Sequence, residues 1–138
     1  MTRRLVVAAA IVDDLARPTR LLAARRSRPA ALAGRWEFPG GKLDDADPSP
    51  LAALHRELRE ELGVEVEVGT EVTGPDDGAW ILTDAYTMRL WWARLTSGTP
   101  APLVEHDEVR WLPVARWGDV PWLDSDVRIV EHLVRAVR

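Results

Sequence analysis

Three glutamates near the middle of the chain have a spacing at which their carboxylates could act together. Glu57, Glu60 and Glu61 stand at positions i, i+3 and i+4, and at roughly 100° per residue these positions share one face of an α-helix. Carboxylates held this close repel one another unless a cation lies among them. Mg²⁺ is a hard cation that prefers oxygen ligands and typically takes a few carboxylates together with waters. The spacing therefore predicts a divalent-metal site on a helix.

The same segment also matches an ordinary solvent-exposed helix. Arg56 and Glu60 can pair at i, i+4, and Gly63 can cap the helix end. Residues 56–63 alone therefore leave two interpretations open, a metal site and a solvated helix face.

A glycine-containing segment upstream, Glu37-Phe38-Pro39-Gly40-Gly41-Lys42, favours the metal site. Two glycines let the backbone approach a ligand closely and turn sharply into a loop. A glycine loop leading into a helix with three carboxylates resembles the Nudix box, a loop–helix–loop motif of pattern G-x5-E-x7-R-E-U-x-E-E-x-G-U, where U is apolar. Gly41 matches the opening glycine, and residues 56–64 (Arg-Glu-Leu-Arg-Glu-Glu-Leu-Gly-Val) match the second half in full.

The resemblance extends over nearly the whole chain. Residues 34–42 are similar to the MutT and CTP-pyrophosphohydrolase branch of the Nudix family, and the box itself covers residues 41–64. We therefore expect one Nudix hydrolase domain over residues 1–138, an α/β/α sandwich built on a mixed β-sheet.

The first half of the box departs from the family pattern. Counting from Gly41, the family glutamate falls on Asp47; counting from Arg56, it falls on Pro48, because the intervening segment is one residue longer than the pattern. In the family this glutamate mainly supports the loop. Asp44, Asp45 and Asp47 are all candidates to replace it.

The resemblance also implies roles for the box residues. The metal ligands would be Glu57, Glu60, Glu61 and the carbonyl of Gly40, and Arg56 would hold the glutamates in position. Glu105, six residues before Trp111, matches a fourth metal-binding glutamate of MutT-type enzymes, with an ordinary loop acid as the alternative. Bound metal lowers the pKa of water. The carboxylate that removes its second proton stays open among Glu57, Glu60 and Glu105.

Three further residues are expected to contact the substrate. Arg26 matches a substrate-contacting arginine of the family, although Arg25 and Arg28 beside it equally suggest a solvated cluster. Phe38 is expected either to stack on a base or to lie in the core. Asp126 ends a segment resembling the family motif W-L-P-A-D, whose last residue reads the base; as a hydrogen-bond acceptor it would suit an exocyclic amino group. The alternative for Asp126 is a helix cap.

Other residue types add little to the predicted site. The histidines (His55, His106 and His132) lack any metal-ligand spacing and receive no catalytic role, and the seven tryptophans are assigned mainly to the core.

Strands and two helices must position these residues. Helix signals are clearest over Pro50–Leu62, where Ser49 is a plausible N-cap, Pro50 opens the helix and Gly63 follows its end. The expected apolar stripe of this helix is Leu51, Leu54, Leu58 and Leu62. A closing helix is predicted over residues 125–137, with its apolar face on Val127, Val130, Leu133, Val134 and Val137. Strands are predicted at residues 5–12, 20–24, 36–38, 64–73, 79–82, 85–95 and 108–112, with a chain break at Gly40-Gly41.

Composition limits the class of protein. The 138 residues, 46% hydrophobic and 29% charged, predict one globular domain. A net charge of −4 argues against binding polymeric nucleic acid. The absence of cysteine excludes disulfides and is compatible with the cytoplasm. No stretch has the length needed to cross a membrane.

The resemblance to the Nudix family implies an Mg²⁺-dependent enzyme, with Mn²⁺ as a possible substitute. We expect it to cleave a small nucleotide, a nucleoside triphosphate such as 8-oxo-dGTP or CTP/dCTP, into the monophosphate and pyrophosphate. Two alternatives remain: hydrolysis of another diphosphate compound, such as ADP-ribose or a nucleotide sugar, and a weakly catalytic nucleotide-binding module. Oligomeric state and base preference are not predicted.

Overall fold

The sequence places its strands around a central strand that is apolar on both faces. In a computed structural model that describes residues 2–137, the strands are β1 (Arg4–Val12), β2 (Arg20–Arg26), β3 (Trp36–Glu37), β4 (Gly40–Lys42), β5 (Glu65–Val72), β6 (Trp80–Ile81), β7 (Tyr86–Ser97) and β8 (His106–Pro113). The helices are α1 (Pro50–Leu62) and α2 (Asp124–Ala136), and a 3₁₀ turn covers Val114–Arg116.

β1 lies at the centre of a mixed sheet. It pairs in parallel with β7 along its whole length, from Arg4 with Tyr86 to Val12 with Arg94. Its other edge pairs antiparallel with β4 at one end and with β2 at Val12. The path through the sheet runs β3-β2-β1-β7-β5, and β8 pairs with β2.

Alternation along β1 divides the core into two layers. Val7, Ala9 and Ile11 pack with α1, in a cluster that includes Leu54 and Leu58. Ala8, Ala10 and Val12 face the opposite side and pack with α2, whose Ile129, Val130 and Leu133 complete that cluster. Side chains two residues apart share a face of a strand, so a strand without polar residues is buried on both sides. The expected α/β/α sandwich is confirmed.

α1 forms where its end signals predict it. Ser49 accepts a hydrogen bond from the Ala52 amide, Pro50 opens the helix, and Gly63 ends it in the left-handed conformation at φ 70°. The predicted apolar stripe is wrong at one position. Leu51 is 41% exposed, whereas Ala53 is fully buried, so Ala53 takes the place of Leu51 on the buried face.

α2 shows a similar shift. Its buried residues are Asp126, Ile129, Val130 and Leu133, and Val127 is 42% exposed. The predicted face was therefore rotated: the true buried face runs i, i+3, i+4, i+7 from Asp126. No side chain caps α2 at its N-terminal Leu123, so a capping role for Asp124, Ser125 or Asp126 is wrong.

The prediction of a chain break at Gly40-Gly41 is also wrong. These glycines form β4, paired with Ala8 and Val7 of β1. A Cβ atom on Gly40 would lie 2.0 Å from the carbonyl oxygen of Val7. Glycine therefore brings this strand close to β1 rather than ending the extended segment.

Candidate active site

A cavity of about 800 Å³ lies beside α1, between β4 and the first turn of α2. Carboxylates line one part of it, and apolar side chains such as Phe38 and Met88 line another. Cavities of this size hold small molecules. The cavity brings together most of the predicted site: Arg26, Phe38, Gly40, Glu57, Glu61, Glu105 and Asp126 all line it.

The three predicted glutamates of α1 have different surroundings. Glu57 and Glu61 line the cavity, and their side chains are 12% and 13% exposed. Glu60 is 55% exposed and is not among the described residues that line the cavity. Burial raises the pKa of Glu57; the Arg56 guanidinium opposes the rise, and the charges of Glu60 and Glu61 add to it. Negative charge at this end of the cavity is thus incompletely compensated.

Arg56 joins the loop before α1 to the glutamates. Its Nε and Nη2 donate to the two carboxylate oxygens of Asp47, at 2.9 and 2.8 Å. Its Nη1 donates to Glu57 at 2.9 Å and to Glu60 at 3.1 Å. The paired contact with Arg56 is the main reason that the pKa of Asp47 falls to about 2. Arg56 therefore acts on the carboxylates and not on the cavity, which it does not line among the described residues.

Asp47 is the loop aspartate that bonds to Arg56. Besides the two bonds from Arg56, its Oδ2 accepts a hydrogen bond from the Asp44 amide at 2.9 Å. Asp45 is exposed, and the Asp44 carboxylate accepts a hydrogen bond from the Ala46 amide within its own loop. Of the three loop aspartates, Asp47 has the geometry of a loop support.

Gly41 fixes the distance between β4 and Glu57. A Cβ atom there would lie 2.2 Å from Oε2 of Glu57, far closer than nonbonded atoms approach. Any side chain at this position would displace the carboxylate.

A second group of charged residues lies opposite α1. Arg26 donates from Nη1 to Glu37 at 3.0 Å and from Nη2 to Glu105 at 2.9 Å. The alternative of a solvated arginine cluster is wrong for Arg26, whose side chain is 16% exposed, since Arg25 pairs separately with Asp107. Glu105 precedes β8 directly, and its backbone carbonyl accepts hydrogen bonds from Ser27.

His106 and Glu37 also belong to this group, and the sequence analysis missed both. Nε2 of His106 lies 2.8 Å from Oε2 of Glu37, and Nδ1 lies 3.2 Å from Oε2 of Glu61. Burial by itself lowers the pKa of His106, but the contacts with Glu37 and Glu61 outweigh burial and raise that pKa to about 9. The two carboxylates therefore favour the protonated imidazole. One available signal was Glu37, an acid between the apolar residues Trp36 and Phe38.

Asp126 and Phe38 lie at the end of the cavity nearest α2. Asp126 is 4% exposed, and burial, together with the charge of Glu37, raises its pKa well above the usual value, against the effect of the Phe38 amide. Only a protonated carboxyl group donates as well as accepts, and the direction of this pKa shift favours that form. The expectation that Asp126 accepts a hydrogen bond from a base stays a prediction. Phe38 is 4% exposed and packs on Trp122 with 5.0 Å between ring centres. Phe38 is therefore both a core residue and part of the cavity wall.

Basic side chains flank the cavity. Lys42 lines it with its ammonium 5.1 Å from the ring centre of Tyr86, and Arg35 lines it while paired with Asp124. The sequence analysis assigned neither of these cations. They partly offset the charge of the carboxylates.

Comparison with known proteins decides the family. A family model described as the NUDIX domain matches residues 2–133. The chain belongs to the Nudix family. It is a Nudix hydrolase, as the glycine loop and the glutamate helix predicted.

Similarity to individual Nudix proteins covers much or all of the chain. A Mycobacterium tuberculosis protein named "Putative 8-oxo-dGTP diphosphatase 2" is 41% identical over 140 residues, covering 99% of this chain and 92% of that protein. The CTP pyrophosphohydrolase of Escherichia coli is 48% identical over 66 residues, which are 48% of this chain and 46% of that enzyme. A MutT Nudix hydrolase from Burkholderia pseudomallei matches with a TM-score of 0.70 at 27% identity, over 100% of both chains.

Nudix hydrolases generally need a divalent metal, and the residues of the cavity fit one chemically. Glu57, Glu61, Glu105 and the Gly40 carbonyl offer oxygen donors to the cavity. Oε2 of Glu61 is buried without a hydrogen-bond partner among the described residues, because its contact with His106 lies outside hydrogen-bond geometry. Within residues 2–137, no three acidic or histidine side chains already surround one point. The donors are present, although they are not assembled.

No helix within residues 2–137 has the length and apolar character needed to cross a membrane.

Proposed function

We propose that this Nudix hydrolase is an Mg²⁺-dependent pyrophosphohydrolase that cleaves a nucleoside triphosphate into the monophosphate and pyrophosphate. The observation that supports the proposal most is the division of the cavity: carboxylates of α1 line one end, and Phe38 and Asp126 line the other. A nucleotide has the matching division, a charged phosphate chain and an aromatic base. Mn²⁺ is a chemically similar oxygen-seeking ion and should substitute for Mg²⁺.

The carboxylate end is proposed to hold the metal and the phosphates. Bound metal would supply activated water and neutralise phosphate charge. Glu57, Glu61, Glu105 and the Gly40 carbonyl would bind it, and Glu60 would join from the helix surface. Lys42 would bind a phosphate oxygen from the opposite side.

The general base is proposed to be Glu57 or Glu105. Both line the cavity, whereas Glu60 is exposed to solvent outside it. Arg56 would position Glu57 through its hydrogen bond, and Arg26 would position Glu105 in the same way. A carboxylate held by a guanidinium keeps one oxygen oriented while the other stays available for a proton.

The apolar end is proposed to bind the base. Phe38, supported by Trp122, offers a ring edge, and a protonated Asp126 can both donate to and accept from a base. Guanine and cytosine each present a donor and acceptors on their edges. The Mycobacterium tuberculosis relative supports an 8-oxo-dGTP-like substrate, and the Escherichia coli relative supports CTP or dCTP as the second candidate.

We also propose where the enzyme acts. Nucleoside triphosphates are small cytoplasmic molecules, so we place the activity in the cytoplasm. A net charge of −4 disfavours a polymeric nucleic acid as substrate.

The test is product identification across a panel of nucleoside triphosphates that includes 8-oxo-dGTP, CTP and dCTP. With Mg²⁺ we expect one of these to give monophosphate and pyrophosphate in equal amounts, and with EDTA we expect neither product. Release of orthophosphate and a nucleoside diphosphate instead would contradict the proposed cleavage position. Turnover of ADP-ribose or a nucleotide sugar, with none of any triphosphate, would contradict the substrate class.

A further inference from the structure

We propose that His106 is a positioning residue that joins the metal-binding end of the cavity to the base-binding end. This inference rests on the proposed function for the meaning of the two ends. One ring nitrogen of His106 faces Glu61 on α1, and the other bonds to Glu37 on β3. A single ring thereby contacts two carboxylates of different elements: it bonds to Glu37, and its Nδ1 lies 3.2 Å from Oε2 of Glu61, outside hydrogen-bond geometry.

The fold holds the ring firmly in this place. His106 is the first residue of β8, paired with Arg26 of β2 where the strand register shifts. Its amide donates to the Leu103 carbonyl at 3.1 Å, and its side chain is 2% exposed. A buried planar ring in such a position has little rotational freedom, so its two nitrogens point at fixed places.

The contacts around the ring show why a packing residue of another shape would not serve equally well. Oε2 of Glu37 receives both His106 Nε2 and Arg26 Nη1. A continuous series of polar contacts therefore runs through Glu61, His106, Glu37, Arg26 and Glu105. Both ends of this series are proposed metal ligands. Removing His106 would interrupt the series between Glu61 and Glu37.

The two contacts of the ring predict two separable effects. Glu61 is a proposed metal ligand, and partners that orient a metal ligand commonly change metal affinity when they are replaced. Glu37 borders the base end, so loss of its bond to His106 should change substrate affinity. A purely structural histidine would change stability alone.

A pair of substitutions separates the contacts. The amide nitrogen of asparagine reaches about where Nδ1 of histidine lies, and that of glutamine reaches about where Nε2 lies. H106N therefore keeps a donor toward Glu61, and H106Q keeps one toward Glu37. Both variants replace the imidazole by an amide, so each serves as the control for the other. H132Q is an external control, because His132 packs on Trp80 and is not among the described residues lining the cavity.

The first measurement is Mn²⁺ binding by isothermal titration calorimetry without nucleotide. We expect H106Q to raise the Mn²⁺ dissociation constant by about 10- to 100-fold, and H106N and H132Q to leave it near the wild-type value. The second measurement is KM for whichever triphosphate proves active, which H106N should raise and H106Q should not. Equal values of both quantities in all three variants would overturn the proposal, as would identical changes in H106N and H106Q.

These two measurements distinguish failure of this inference from failure of the proposed function. If no triphosphate is cleaved, the function is wrong, but the Mn²⁺ titration still tests the contact between His106 and Glu61.

A third measurement needs no substitution of the histidine, in case its variants unfold. In the metal-free protein, E61Q should shift the ¹⁵N NMR resonance of Nδ1 of His106, and E37Q should shift that of Nε2. If neither resonance moves, the ring does not join the two carboxylates and the proposal is wrong.

Discussion

At the scale of single residues, one of the three loop aspartates stands out. Asp47 accepts two hydrogen bonds from Arg56, the residue expected to hold the glutamates in position. These bonds favour the prediction that Asp47 supports the loop in place of the family glutamate. Sequence counting left three aspartates open because it does not show which of them the turn at residues 44–47 brings to Arg56.

The pairing of Asp47 predicts a pH-dependent stability. The pKa of Asp47 is lowered to about 2 in the folded protein, whereas an unfolded chain gives about 3.9. The unfolded state therefore binds more protons between these values, so the stabilisation is complete above about pH 4 and is lost as the pH falls toward 2. In EDTA, D47N should lower Tm relative to the wild type at pH 6, and the difference should shrink between about pH 4 and pH 2. D45N is the control, and a Tm difference that is constant with pH would argue against the ion pair.

The glutamates of α1 should differ in how much activity they carry. E57Q and E61Q remove carboxylates that line the cavity, and each should lower kcat by on the order of 10³. Glu60 matches a metal ligand of the family, but its side chain lies exposed outside the cavity. If this arrangement holds during turnover, E60Q should lower kcat less than E57Q or E61Q does. Steady-state kinetics at saturating Mg²⁺ measure this order. E65Q, on β5, is the control for loss of a nearby charge, and a larger loss in E60Q than in E57Q would show that the helix surface moves into the site.

At the scale of elements, the helices were more predictable than the strand made of glycines. α1 carries its own local signals, Ser49, Pro50 and Gly63, and its bounds are confirmed. β4 carries none, because it is a strand only by virtue of pairing with β1, and a pair of glycines ordinarily marks a turn. The apolar faces of α1 and α2 were each misjudged in part, since periodicity shows that a face exists but does not fix its exact rotation, as the exposed Leu51 and Val127 show.

The glycines of β4 should separate stability from activity. A Cβ on Gly40 meets backbone of β1, which cannot move away, so G40A should lower the free energy of unfolding by about 1–3 kcal/mol or more. A Cβ on Gly41 instead meets the carboxylate of Glu57, a side chain that can turn, so G41A should reduce kcat and Mn²⁺ affinity with a smaller loss of stability. Chemical denaturation and Mn²⁺ titration measure the two effects. G118A, where no atom lies within 4 Å of the added Cβ, should match the wild type in both, and equal destabilisation by G40A and G41A would contradict the distinction.

At the scale of the whole molecule, the site joins parts of the chain that are far apart in sequence. His106 bonds to Glu37, which is 69 residues earlier, and no local pattern in the sequence connects the two. The fixed spacing of the motif explains why the glutamates of α1 were found. Arg26 and Glu105 on the opposite side came from the family resemblance, and Glu37 and His106 were missed. Asp126 lies on the apolar face of α2 with Ile129 and Val130. An aspartate followed by apolar residues at i+3 and i+4 was therefore an unused signal that Asp126 is buried.

The separation of the two ends of the cavity predicts that base discrimination can be lost without losing catalysis. Glu57 and Glu61 belong to α1, whereas Asp126 belongs to α2 on the other face of the sheet. Metal and phosphates are common to every nucleotide, so changes at α1 should lower kcat/KM for all substrates by a similar factor. A buried hydrogen-bonding group left without its partner costs roughly 1–3 kcal/mol. D126A should therefore shrink the difference in kcat/KM between a preferred and a poor base by about 10- to 100-fold, mainly by slowing the preferred one.

Ratios of kcat/KM make this test robust to a change in stability. Asp126 is buried, so its replacement by alanine will leave some protein less stable, but the fraction of active enzyme cancels when two bases are compared in one preparation. D124A is the control, because Asp124 is an aspartate only two residues away, yet its side chain is 94% exposed and pairs with Arg35. It should keep the wild-type ratio. If D126A instead slows every nucleotide by the same factor, Asp126 supports the fold of α2 against the sheet, and the base is distinguished by other residues of the cavity.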